Sequence, residues 1–269
     1  MKLIDTHAHY CDSWFTAPET PEQPYEAILD GLLGPEGELE AIVNVATTPD
    51  NAPICVAQAA RWPGMYAAVG IHPTDCQQYA DPVAELARLR PWLDEAKRHK
   101  IVALGEIGLD YHYPDTDREK QRAVFIAQLE MAAEYDLPVI LHSRDATGEC
   151  VDLIRAHPGV RGVFHAYGGS VETAMELIER GWYLGLGGVI TFPSAKRIRR
   201  VAAALPLDRI LLETDCPYTA PEPWRGQRNH SGWVRRTAEE LATLQGREVE
   251  EIITMTSDNA SKFFSLIEP

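Results

Sequence analysis

Eight short apolar runs, separated by stretches with helical spacing, constrain this 269-residue chain more than any other feature. The first is Leu3–Ile4, leading into Asp5-Thr6-His7. The others are Ala41–Thr47, Tyr66–Gly70, Ile101–Gly105, Leu137–Leu141, Val160–Phe164, Trp182–Leu186 and Arg209–Glu213. Runs of this length, bounded by Gly, Pro and Asp, read as strands of a parallel sheet buried on both faces. Helical patterns lie between them, over Tyr25–Leu33, Ala52–Arg61, Pro82–Lys100, Asp117–Tyr135, Asp145–Ala156, Val171–Arg180 and Ser194–Ala204. Residues 11–24, rich in Pro, Thr and aromatics, read as a long loop, and Gly108–Thr116 as another. From Gly232 on, two or three helices are expected, with breaks near Gly246 and Ser257-Asp258. This alternation predicts the α/β class and a single (β/α)8 TIM-type barrel over residues 1–269, with extra C-terminal helices. A doubly wound open sheet is the alternative. No G-x-G-x-x-G follows the first strand, which argues against a dinucleotide site.

Lys and Arg number 25 against 40 Asp and Glu, a formal net charge of −15. That balance argues against coating long nucleic acid by phosphate neutralisation. It leaves a nuclease open, because bound divalent metals supply positive charge where a phosphate sits. The five cysteines include no C-x-x-C pair, so neither a disulfide framework nor a zinc ribbon is expected. The first residues lack the apolar core of a signal peptide, and nowhere do about 18 uncharged apolar residues run together. The expectation is a cytoplasmic protein with no membrane association and no obligate protein partner.

In a closed barrel the C-terminal strand ends share one mouth, where active sites are built. The first strand would bring His7 and His9 there, two apart and therefore on one side of an extended backbone. The third brings His72, the fourth Glu106, the fifth His142, the sixth His165 and the eighth Asp215. Neutral imidazoles and carboxylates bind divalent transition metals. Glu106 could bridge two ions about 4 Å apart, and Asp215 could ligate one and also take a proton from bound water. His72 reads as an outer contact, a substrate contact or a structural residue. Arg144 and Arg225 read as phosphate clamps or structural ion pairs. Lys196 to Arg200 reads as a solvated helix face. Tyr111, Tyr113, Trp224 and Trp233 would stack bases or pack their loops down. His99, His112, His157 and His230 end no apolar run and read as surface or core residues.

The segments Leu-Ile-Asp-Thr-His-Ala-His (3–9), Ala-Val-Gly-Ile-His-Pro (68–73) and Gly-Glu-Ile-Gly-Leu-Asp-Tyr (105–111) resemble the TatD family of metal-dependent hydrolases. So do Pro-Val-Ile-Leu-His-Ser-Arg-Asp-Ala (138–146), Leu-Leu-Glu-Thr-Asp-Cys-Pro-Tyr (211–218) and Trp-Arg-Gly-Gln-Arg-Asn (224–229). The resemblance covers nearly the whole chain in order. It implies a barrel of the amidohydrolase superfamily and a divalent-metal phosphodiesterase commonly described as a deoxyribonuclease. It also implies His7, His9, Glu106, His142, His165 and Asp215 as metal ligands, with Glu106 bridging. The chain departs from the family pattern at Tyr10-Cys11, Thr74, Ala166 to Gly169 and His230-Ser231, all beside the same mouth.

The resulting expectation is a hydrolase with two divalent ions (Mg, Mn or Zn) whose substrate is DNA or a short oligonucleotide, attacked at ends or in single strands. Metal-activated water would be the nucleophile and Asp215 its proton acceptor. One alternative is a hydrolase of C–N, ester or lactone bonds in a small molecule, because the same ligands activate water against carbonyl and phosphorus alike. A non-catalytic barrel scaffold is the other, and the full ligand set argues against it.

Overall fold

The structure, a computed structural model, describes residues 2–16 and 24–266. Its strands are β1 (Leu3–Ala8), β2 (Leu39–Val45), β3 (Met65–Val69) and β4 (Ile101–Asp110), followed by β5 (Val139–Arg144), β6 (Gly162–Phe164), β7 (Tyr183–Leu186) and β8 (Ile210–Leu212). Each pairs in parallel with the next in sequence order. Ala8 bridges Cys216, and the Asp215 and His9 amides donate to His7 O at 2.9 Å and Cys216 O at 2.7 Å. These bonds close the sheet on itself, and the (β/α)8 expectation holds.

Side chains alternate between two apolar clusters. Leu3, Ile42, Ala67, Leu104, Leu141 and Leu184 pack against the surrounding helices. Ile4, Val43, Ala68, Ala103, Ile140, Val163 and Leu211 fill the interior, where Ala260, Phe263 and Phe264 of the last helix join them. The register shifts at four places, between Leu3 and Ile4, Asp5 and Ala8, Ala67 and Ala68, and Leu104 and Ile107, and two of these bear on the site. Asp5 pairs with Ile42 and Ala8 with Asn44, three residues of β1 against two of β2. Leu104 pairs with Val139 and Ile107 with Leu141, again three against two. An extra residue turns the following side chains to the opposite face. Ile4 and His7 therefore both face inward, as do Ala103 and Glu106.

Three expectations are corrected. Residues 82–100 do not form one helix: helical pieces cover Pro82–Glu85, Leu86–Arg88 and Arg90–Leu93, because Pro91 lacks an amide donor and disfavours helical backbone before it. The last helix, Val249–Phe264, runs unbroken through Ser257-Asp258; the Ser257 hydroxyl donates outward to Lys2 O at 3.2 Å. β4 continues to Asp110, where Gly108 to Asp110 pair with β5, so the expected loop starts later. Within the long loop expected over residues 11–24, Ser13–Thr16 form one helical turn and residues 17–23 lie outside those described.

Buried amides hold the strand ends that carry the site. On the helix Arg118–Glu134, Gln121 brackets Asp110, accepting from its N–H at 2.8 Å and donating to its carbonyl at 2.9 Å. Gln128, two turns on, does the same for Ile71 at 2.7 and 3.1 Å. Asn229 donates to the carbonyls of Thr214 and Tyr218. Each satisfies backbone groups that leave the sheet ladder in a buried place.

Candidate metal centre

The six residues expected as ligands meet at the C-terminal mouth. His7 Nε2 lies 2.9 Å from His9 Nε2 and 3.3 Å from Glu106 Oε2. His9 Nε2 lies 3.5 Å from Glu106 Oε2 and 3.4 Å from Asp215 Oδ1. On the other oxygen of the same carboxylate, Glu106 Oε1 is 2.7 Å from His142 Nδ1 and 3.9 Å from His165 Nε2. His165 Nε2 stands 3.7 Å from Asp215 Oδ1. Asp215 adopts left-handed backbone (φ 59°), a conformation Asp tolerates, and it turns the chain just past β8.

Hydrogen bonds on the rear of the rings set which nitrogen faces the centre. His9 Nδ1 is 2.8 Å from Val45 O; a carbonyl only accepts, so Nδ1 carries the proton and the neutral ring's lone pair sits on Nε2. His165 Nδ1 lies 3.0 Å from Glu213 Oε1, close enough for an ion pair though off-line for a good hydrogen bond. Glu213 Oε1 also accepts from Ala166 N at 2.7 Å. His72 is different. The Thr74 amide donates to His72 Nδ1 at 3.2 Å, so in the neutral ring the proton is on Nε2, 3.6 Å from Glu106 Oε1. At that distance His72 neighbours Glu106 without a hydrogen bond to it.

Charge is concentrated here. Burial disfavours an ionised Glu106, but the surrounding imidazoles outweigh it and hold its pKa well below the usual range. Burial likewise opposes ionised Asp215, and the His9, His165 and His7 rings reverse the balance. Burial also opposes charge on His9 and His165, yet the facing carboxylates raise both, His165 to about 9. Burial drives His72 down to about 3, so it is neutral.

Donor atoms of His7, Glu106 and His165, of His7, His9 and Asp215, and of His72, Glu106 and His142 each lie within 4.8 Å of one another. Imidazoles and carboxylates at that spacing are the donor set that divalent transition metals take. The donor set fits metal ions.

Two acids not singled out from the sequence belong to this centre. Asp110 Oδ2 lies 3.1 Å from His142 Nε2, and Glu213 supports His165. Both stand an even number of residues from an expected ligand, Asp110 four after Glu106 within β4 and Glu213 two before Asp215 in the segment that follows β8, a spacing that on extended backbone points to the same face. The surrounding cleft, about 590 Å³, is also lined by Thr47, Asp75, Tyr113, Arg144 and Tyr218. Arg144 stands over the Tyr113 ring at 5.7 Å. Arg225 lies over Phe192 at 4.5 Å and does not line the cleft. Trp224 and Trp233 stack on each other at 4.7 Å, and the Tyr111 hydroxyl donates to Glu149, so these three pack their loops down.

A closed parallel barrel with a mixed imidazole and carboxylate centre at its C-terminal mouth is the architecture of a metal-dependent hydrolase. The family model described as TatD related DNase matches residues 4–265. The uncharacterized metal-dependent hydrolase YabD of Bacillus subtilis is 35% identical over 269 residues, covering 98% of this chain and 99% of that protein. The crystal structure of YjjV, a TatD homologue from Escherichia coli, superposes with a TM-score of 0.87 at 31% identity, covering 98% of both chains. A TatD-family hydrolase from Entamoeba histolytica, 18% identical over 98% of both chains, shares the fold with a TM-score of 0.81. The chain belongs to the TatD family of metal-dependent hydrolases. Among the described residues, no helix is long and apolar enough to cross a membrane.

Proposed function

We propose that this protein hydrolyses phosphodiester bonds in DNA, at ends or in short single strands, with two divalent ions. The observation that carries the reading is the division of Glu106: Oε2 faces His7 and His9, and Oε1 faces His142 and His165. One carboxylate oxygen toward each donor group suits a bridging ligand. His7, His9 and Asp215 would hold one ion, and His142 and His165 the other.

Bound ions supply Lewis acidity, which acidifies water and draws charge from a phosphoryl oxygen. The remaining work falls to side chains. Asp215, held ionised by its imidazole neighbours, takes the proton of the attacking water. Neutral His72, 3.6 Å from Glu106 Oε1, walls that side of the carboxylate without adding charge. Arg144 has no carboxylate partner at hydrogen-bonding distance among the described residues and lines the cleft, where it would offset phosphate charge. The family description supports DNA as the substrate class.

The test is a metal analysis joined to assays on end-labelled single- and double-stranded oligonucleotides, with a parallel panel of esters, lactones and amides. The expected result is chelator-sensitive cleavage of the oligonucleotides, reduced at least about a hundred-fold in Asp215→Ala. Turnover confined to the small-molecule panel would replace this reading with a carbonyl hydrolase.

A further inference from the structure

A second cavity, about 290 Å³, shares Asp215 with the metal cleft. Leu186, Val189, Ile190 and Ile198 give it apolar walls, and the buried carboxylate of Glu213 also lines it. Glu213 Oε1 is occupied by Ala166 N and His165, whereas Oε2 faces Gly185 and has no hydrogen-bond partner among the described residues. A Cβ on Gly185 would stand 2.3 Å from that oxygen, so the glycine is what leaves room for it.

Lys196 and Arg197, both exposed, complete the lining. Elsewhere in this acidic chain arginines sit against carboxylates, as Arg88, Arg90, Arg155, Arg161 and Arg236 do. Lys196 and Arg197 have no carboxylate partner at ion-pair distance among the described residues. They open the nine-residue helix Lys196–Ala204, whose N-terminal end adds partial positive charge. Unpaired cations at an apolar pocket suit a ligand that is part ring and part anion. A small ester or amide needs no such second anion site.

Resting on the phosphodiesterase reading above, we infer that this pocket receives the nucleoside adjoining the scissile phosphate, and that Lys196 and Arg197 hold the next phosphate. The apolar walls take the ring. Glu213 Oε2 accepts from a base N–H or sugar hydroxyl. The shared wall at Asp215 sets the pocket one step from the reacting centre.

The test is equilibrium binding by titration calorimetry, with the metal content left as purified. Three ligands are compared: thymidine 5′-monophosphate, thymidine 3′,5′-bisphosphate, and a phosphorothioate trinucleotide without terminal phosphates. The bisphosphate offers its second phosphate as a chain end, and the trinucleotide offers it internally. At least one should bind about ten-fold or more tightly than the monophosphate. That advantage should vanish in Lys196→Ala/Arg197→Ala and persist in Arg200→Ala, a change on the same helix outside the pocket. Val189→Trp, with its fold checked by circular dichroism, should weaken all three by filling the pocket. Persistence of the advantage in the double variant, its absence from the wild type, or unchanged binding in Val189→Trp would overturn the inference. Cleavage of bis(p-nitrophenyl) phosphate by the wild type reports on the hydrolytic reading separately, because that substrate carries neither base nor second phosphate.

Discussion

Glu106 and His142, on neighbouring strands, approach to 2.7 Å, and the opposite nitrogen of the same imidazole lies 3.1 Å from Asp110. His142 is thus gripped by two carboxylates of one strand. Gly108 between them lets β5 come close, since a Cβ there would stand 2.0 Å from His142 O. Burial opposes charge on His142, but the two acids raise its pKa.

Such outer partners orient a metal-binding ring, and losing one typically lowers metal affinity about 10- to 100-fold. Asp110→Asn and Glu213→Gln are each expected to show a drop of that size by calorimetric titration with Mn or Zn, with far-UV circular dichroism unchanged. Wild-type affinity in both would show that His142 and His165 hold their positions without them.

Metal binding should release protons and strengthen with pH. In the metal-free centre His9 and His165 have raised pKa values, the latter about 9, so both are largely protonated at neutral pH and must lose that proton to ligate. Apparent affinity is expected to climb from pH 6 to about pH 9. Titrations in buffers of different ionisation enthalpy measure the protons released, and a flat profile would contradict the assignment.

Asp5 gives a stability signature of the opposite sense. It is fully buried, which pushes its pKa to about 7, although the Ser231 and Thr214 side chains and backbone amides hydrogen-bond to it. Because the folded pKa is raised, the folded state binds the proton more tightly than the unfolded chain. Its contribution is therefore full below about pH 4 and is lost as pH rises to about 7. The slope is at most about 1.4 kcal/mol per pH unit. Asp5→Asn removes that titration. Chelated wild type should lose stability relative to chelated Asp5→Asn across this window in urea unfolding, and parallel curves would count against a protonated Asp5.

Gln128→Leu leaves the Ile71 amide and carbonyl buried without partners. Each orphaned group costs about 1–3 kcal/mol, so a loss of about 2–6 kcal/mol in unfolding free energy is expected. A loss below 1 kcal/mol would mean that water reaches this strand end.

Much of the centre was legible in the sequence because most strands obey simple alternation. Counting by twos from the interior residues Ile140, Val163 and Leu211 leads to His142, His165 and Asp215. The same count from Ile4 or Ala103 misses His7 and Glu106, whose inward direction depends on an extra residue that composition does not reveal. Asp110 was hidden because β4 outlasts its apolar run, and Glu213 because an acid at the end of such a run reads as a strand terminus. Leucine spacing in residues 82–100 suggested a helix that Pro91 interrupts. The position of Arg225 over Phe192 is a matter of loop path, which local pattern does not encode.

The three-against-two pairings in β1 and β4 make arithmetic more important than side-chain type in two short segments. Regular pleating over the same number of residues, without the extra one, would swing an imidazole or the central carboxylate toward the helical shell. The irregular pairing of these two stretches is thus as much a part of the centre as the ligands that follow it.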